Sequence, residues 1–361
     1  MKSINVAIIG GGRVAMHHCR MLTEVPEVNL RAICDLREDR GRPLAKEYKV
    51  PYFGNYHQML STNPEIDIVT IATPSGMHFE HATEIIDLYG KNVIVEKPTF
   101  MQPAQMRDAY ELAKDKNCKI FPVYQNRYNK AVRFVRQAIQ KGELGEVRMA
   151  SARVRWCRPQ QYYDRDVWRG TWSHDGGALT NQGVHYLDIL RYLGGEVSRV
   201  NAIISTLDVK VEVEDTAAAV FEFENGGMGV IEITTAARPD DFEASISIVG
   251  SKGLAVISGE ATNQLITFSP DPNQCKINSE KFEIVYGYGH REMYRDISGV
   301  LNNNELPPVS FEDGMRTLTL LHCIYRSAEL GNWVDLSEAN QSARLGQPDD
   351  VISNLYRTQT P

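Results

Sequence analysis

The 361-residue chain has no apolar run near the roughly 18 residues needed to span a bilayer, and its early apolar stretch, Ile4 to Ile9, breaks at three glycines. A membrane-spanning helix is thereby excluded, and no signal-peptide pattern is expected. The six cysteines (19, 34, 118, 157, 275 and 323) are scattered and form no C-x-x-C pair. Neither a disulfide framework nor a zinc knuckle follows; no metal site is expected, and reduced thiols in a cytoplasm are. Positive charge is in deficit, with 39 Lys and Arg against 46 Asp and Glu for a net −7. A general binder of nucleic acid or of anionic membranes is disfavoured, so any anionic ligand must be met by a local cluster. Internal repeats and low-complexity segments are lacking too. What remains is the composition of a folded, enzyme-sized protein, 42% hydrophobic and 24% charged, long enough for two or three domains.

In the first third, short apolar runs at Ile4–Ile9, Leu30–Cys34, Ile66–Ala72, Val93–Val95 and Lys119–Val123 read as strands. Between them Val14–Leu22, Pro43–Tyr48, His78–Tyr89 and Pro103–Ala113 carry apolar residues at helical spacing. Strand and helix in alternation predict a doubly wound parallel sheet. Beyond residue 125 the pattern changes to a helix at Ala131–Lys141 and then alternating strands. Ala217–Glu224 and Gly229–Thr235 flank Asn225-Gly226-Gly227, a hairpin signal that predicts a mainly antiparallel sheet with one covered face. Later helices are expected near Met293–Leu301 and Gly314–Glu329. The expected domains are 1–124 and 125–336, followed by a polar tail, 337–361, read as an arm or loosely ordered segment.

Gly10-Gly11-Gly12-Arg13-Val14-Ala15 is G-x-G-x-x-A placed after the first strand and at the start of a helix. Gly10 suits a tight turn, and Gly12 suits close approach of a pyrophosphate to the backbone. The helix start at Arg13 and Val14 offers N–H donors. A bare motif of this kind is more often only a glycine-rich turn. Here Asp35 closes the second strand, where a carboxylate accepts from adenosine ribose hydroxyls and repels a 2′-phosphate, so NAD is expected ahead of NADP. Arg37 is the counter-argument, a guanidinium that could accommodate that phosphate or simply pair on the surface.

Lys97 follows the strand Val93–Val95 in Glu96-Lys97-Pro98, at the carboxyl edge where open α/β sheets bind ligands. Its ammonium can hydrogen-bond a substrate hydroxyl and stabilise alkoxide charge. In Gly176-Gly-Ala-Leu-Thr-Asn-Gln-Gly-Val-His-Tyr-Leu-Asp188, residues Asn181, His185 and Asp188 fall on one face of a regular helix. His185 suits a general base, against the bland reading of a packed histidine.

With these motifs and Ala72-Thr-Pro-Ser-Gly-Met-His78, the sequence resembles the glucose–fructose oxidoreductase/inositol dehydrogenase/MocA family over nearly its whole length. The resemblance implies a Rossmann domain joined to an α/β domain on a large open sheet, whose exposed face makes homodimers or homotetramers. It further implies NAD contacts from Thr73, Pro74, His78, Glu96, Lys97, Asn126, Trp168 and Arg169, a catalytic pair Lys97 and His185, and a candidate cis bond at Lys97–Pro98. Asn181 stands where polyol dehydrogenases of the family carry Asp. It resembles the branch that oxidises nucleotide-linked sugars.

Ser151–Gly170 holds Arg153, Arg155, Arg158, Arg165 and Arg169 against Asp164 and Asp166, interleaved with Trp156, Tyr162, Tyr163 and Trp168. Guanidinium forks suit phosphate or carboxylate, and aromatic faces suit sugars or bases. The competing reading gives Arg153 and Arg155 to a solvated or interface face of a strand. Lys97, Arg127, Arg155, Asn181 and His185 are the expected substrate contacts. The activity expected is NAD-dependent oxidation of a secondary hydroxyl on a sugar, with an anionic or nucleotide-linked sugar placed ahead of a neutral polyol. An NAD-dependent glycosidase would keep Lys97 and His185 as well. A non-catalytic NAD-sensing regulator need not.

Overall fold

A computed structural model describes residues 2–283, 286–338 and 340–359. The chain divides into two compact units. The first comprises residues 2–123, 290–314 and 348–359, and the second 124–289 and 315–347.

The first unit is built on β1 (Ile4–Ile9), β2 (Val28–Cys34), β3 (Tyr52–Phe53), β4 (Ile68–Ile71), β5 (Asn92–Val95) and β6 (Ile120–Pro122). All pairings are parallel in the order β3-β2-β1-β4-β5-β6. Chain direction across the sheet reverses between β1 and β4, the switch point at which such sheets bind ligands. The helices are α1 (Arg13–Leu22), α2 (Glu38–Glu47), α3 (Tyr56–Thr62), α4 (His78–Tyr89) and α5 (Pro103–Asp115). Gly90 ends α4 in the left-handed region at φ +61°, and Pro103 opens α5 inside a reciprocal cap between Gln102 and Gln105. α2 begins five residues before the expected Pro43, because Glu38 and Asp39 favour the amino end of the helix dipole.

The sequence placed this unit's boundary at residue 124 and left the rest to a second domain and a tail. The structure differs. All but the first residue of helix Gly289–Asn303 belongs here, and so does the end of the chain. The tail is anchored rather than loose: Arg357 Nε donates to Glu80 at 2.8 Å, and the Asn55 side chain donates to the Gln359 carbonyl at 2.8 Å.

The second unit contains α6 (Lys130–Gln140), α7 (Gln160–Tyr163) and α8 (Val184–Gly194). Its strands are β7 (Val147–Arg155), β8 (Val197–Ser205), β9 (Thr216–Phe223), β10 (Met228–Thr234), β11 (Glu243–Gly250), β12 (Leu254–Ser258), β13 (Gln264–Ser269) and β14 (Val334–Asp335). They form one sheet, β13-β12-β11-β7-β10-β9-β8-β14, antiparallel except where β10 runs parallel to β7. The hairpin forms as expected between β9 and β10, with Gly226 at φ +83°. Alternate residues on these strands are buried, and α8 packs on that face. The opposite face stays open.

Candidate active site

In the first unit, Gly10 turns the chain at φ +103°; a Cβ there would lie 2.4 Å from the Ala72 carbonyl oxygen, so only glycine fits. A Cβ at Gly12 would meet nothing within 4 Å, which leaves the amino end of α1 open to a ligand, with the Arg13 and Val14 amides in its first turn. Asp35 closes the cradle, its carboxylate accepting from the Gly11 N–H and, at 2.6 Å, from the Arg37 N–H. The Arg37 guanidinium itself pairs with Asp39, Nη2 to Oδ2 at 2.7 Å. This backbone cradle with a carboxylate at its rim fits a dinucleotide.

Across the switch point, Thr73 Oγ1 bonds His81 Nδ1 at 3.0 Å. His78 is buried with its ring nitrogens 3.1 Å from the Thr73 carbonyl and 2.9 Å from the Pro98 carbonyl. His78 therefore ties the Thr73-Pro74 turn to the Lys97-Pro98 turn. The Lys97–Pro98 bond is cis, as is Arg238–Pro239, which the sequence did not flag. Lys97 is half-buried at the end of β5.

Glu96 points into the interior. His18 Nε2 lies 2.8 Å and His290 Nε2 3.4 Å from Oε1, while Oε2 accepts from the Lys97 N–H at 3.1 Å. Burial pushes the Glu96 carboxyl up, but the hydrogen bonds from His18 and His290 outweigh it and hold it well below the usual range. Burial lowers His290 to about 4, so a neutral imidazole donates to an ionised carboxylate. His18, Glu96 and His290 bring their ligand-type atoms within 4.8 Å of one another. Through Oε2, Glu96 braces the backbone of the residue that follows it.

In the second unit, Leu179–Gly183 forms a π-helical turn that runs directly into α8. The wider turn breaks the helical phase, so Asn181, His185 and Asp188 do not share one target. Asn181 Nδ2 donates to Asp175, and its Oδ1 accepts from Gln182 Nε2 at 3.2 Å. His185 and Asp188 instead face a 3₁₀ turn, Gln125–Tyr128. Gln125 Nε2 lies 3.3 Å from His185 Nε2. Arg127 grips Asp188 in a buried bidentate pair, and Asn126, beside it, is also buried. The sequence missed Gln125, for which no local pattern gave a signal, and it gave Arg127 to the substrate. The structure gives Arg127 to Asp188.

The arginine-rich segment divides. Arg153 and Arg155 lie on the open face of the sheet, paired with Glu232 and Glu243. Arg158 pairs with Asp241 at 2.8 Å. Arg169 lies 4.5 Å from the ring centres of both Tyr162 and Trp168, and its Nη1 donates to Tyr162 Oη at 2.7 Å. Gln182 Nε2 reaches the same hydroxyl at 3.4 Å and so joins Arg169 to Asn181.

Comparison with known proteins decides the family. Residues 4–124 match the oxidoreductase family with an NAD-binding Rossmann fold, and residues 132–256 match the GFO/IDH/MocA C-terminal domain. The chain belongs to the GFO/IDH/MocA oxidoreductase family. The WlbA dehydrogenase of Bordetella pertussis, solved with NADH and UDP-GlcNAcA, superposes with a TM-score of 0.87 at 32% identity, covering 92% of this chain and 98% of that one. Levoglucosan dehydrogenase of Pseudarthrobacter phenanthrenivorans is 25% identical over 94% of this chain and 99% of its own length. Myo-inositol 2-dehydrogenase of Thermotoga maritima is 25% identical over 93% and 99%. This GFO/IDH/MocA protein is an NAD-binding oxidoreductase that acts on sugars. Among the described residues, no helix is long and apolar enough to cross a membrane.

Proposed function

We propose that the protein oxidises a ring secondary hydroxyl of an anionic, nucleotide-linked sugar. The observation that carries this reading is the chain Arg169–Tyr162–Gln182–Asn181, in which a guanidinium backed by two aromatic rings is wired to the amide that replaces the polyol-type Asp. The likeness to WlbA, solved with UDP-GlcNAcA, supports it.

In this reading the first unit binds NAD and the second binds the sugar. The Gly10–Gly12 loop and the amino end of α1 hold the pyrophosphate, and Asp35 holds the adenosine ribose. Bound NAD supplies the hydride acceptor. His185 Nε2 takes the hydroxyl proton, and Lys97 hydrogen-bonds the hydroxyl oxygen as charge develops on it. Arg169 and Trp168 recognise the charged, planar part of the substrate. Six cysteines that remain thiols support a reducing, cytoplasmic setting. Association into a homo-oligomer through the open sheet face is supported by Met149, Val220, Met228 and Ile203, all exposed there.

The test is kcat/KM for UDP-sugars and sugar acids against myo-inositol and free hexoses. UDP-linked sugar acids should turn over best, with KM rising as salt screens the charge contacts over a Debye length of roughly 8 Å. Best turnover of a neutral polyol without salt dependence would overturn the reading, and free sugar released without lasting NADH would mark a glycosidase.

A further inference from the structure

Asp175 is buried and takes no direct part in the proposed chemistry. Its Oδ2 accepts from the Gly170 N–H at 2.7 Å, immediately after Trp168-Arg169, and its Oδ1 accepts from the Asn181 side-chain amide. One carboxylate thus anchors both the Arg169 loop and the π turn. A carboxylate only accepts hydrogen bonds, so it must face the NH₂ end of Asn181; the amide plane then turns the carbonyl oxygen away from it, to the side where Gln182 donates. Beside it, Glu214 is also buried, its Oε1 accepting from the Leu179 N–H and the Tyr325 hydroxyl, both at 2.9 Å. Two neighbouring buried carboxyls resist double ionisation, and Glu214 is the one raised, to about 7, by burial first and then in part by the Asp175 charge.

We propose that Asp175 is a positioning residue that fixes the Asn181 amide with its carbonyl oxygen outward, as the acceptor for a substrate hydroxyl. This rests on the function proposed above. In effect, the carboxylate that polyol dehydrogenases place at this helix position stands one layer further back in this chain and acts through an amide. A substrate hydroxyl donating to Asn181 Oδ1 keeps its own lone pairs free, which favours a sugar whose neighbouring hydroxyl points an O–H at that oxygen.

The isosteric variant Asp175→Asn tests this. It keeps an acceptor for the Gly170 N–H but sets two amides against each other, so Asn181 turns over and presents a donor. NAD affinity and thermal midpoint should change little. Meanwhile kcat/KM for the UDP-sugar acid should fall about 10- to 100-fold, the scale of one charge-assisted hydrogen bond. The double variant Asp175→Asn/Asn181→Asp restores an amide–carboxylate pair in reversed order and should recover at least part of the loss, which a merely structural role would not. Independently of turnover, the Asn181 side-chain NH₂ signals in ¹⁵N NMR, assigned by their loss in Asn181→Asp, should move on Asp175→Asn. Unmoved signals overturn the proposal, and so does normal kcat/KM in Asp175→Asn. If wild-type protein oxidises no sugar tested, the proposed function fails, and the NMR signals alone decide whether Asp175 holds Asn181.

Discussion

Arg127 and Asp188, 61 positions apart, share two hydrogen bonds of 2.6 Å, Nε to Oδ2 and Nη2 to Oδ1, with side chains only 8% and 1% exposed. Thr317 adds a third bond to the same carboxylate at 2.9 Å. The pair pins the turn that carries Gln125 against α8, and so sets the height at which Gln125 meets His185.

Removing one partner strands a buried charge. Arg127→Met should cost about 3–5 kcal/mol of stability, while Arg127→Met/Asp188→Leu should recover much of it. Arg155→Met, on the open sheet face, should cost under about 1 kcal/mol. Urea unfolding of the four proteins checks this; equal, small losses for Arg127 and Arg155 would show that the buried pair contributes no more than a surface one.

Lys97→Met should lower turnover by about 10² or more, because it removes the group proposed to stabilise charge on the reacting hydroxyl oxygen, with NAD affinity kept within several-fold. Stopped-flow NADH formation and NAD calorimetry read the two quantities separately. Turnover near that of wild type would remove Lys97 from the chemistry.

Asp35→Ser should weaken NAD binding and narrow its advantage over NADP, since it removes both an acceptor and the charge that repels a 2′-phosphate. It also frees the Gly11 and Arg37 amides that Asp35 holds. Calorimetry with both nucleotides decides the point, and tighter binding of NADP by wild-type protein would reverse the assignment.

Glu214 gives a pH signature. Burial raises it from 4.5 to about 7 in the folded protein. The unfolded chain releases that proton near its ordinary value, so stability is complete below about pH 4.5 and declines as pH rises through about 7. Glu214→Gln removes this slope. Between pH 4.5 and 8 wild type should lose up to about 3 kcal/mol relative to the variant; parallel urea midpoints across that range would refute it.

Much of this protein is local in its sequence. The glycine loop, Asp35, the Lys97 turn and the β9–β10 hairpin each depend on residues close along the chain, where backbone sterics and hydrophobic period act, and they were legible for that reason. Long-range partners were not. The +3 charge read from Ser151–Gly170 disappears in the fold because Glu232, Glu243 and Asp241 come from strands and loops some 80 residues away. Regular helical spacing put Asn181 with His185 and Asp188, yet a π turn and the Asp175 carboxylate took it elsewhere.

Sequence alone therefore determined the two sheet types and the glycine loop that opens the first helix, since these follow from short-range geometry and chemistry. Tertiary structure decided which way the side chains face and which charges remain available. Burial makes every charged group find a partner, and that partner is chosen by the packing of distant segments, which no local pattern encodes.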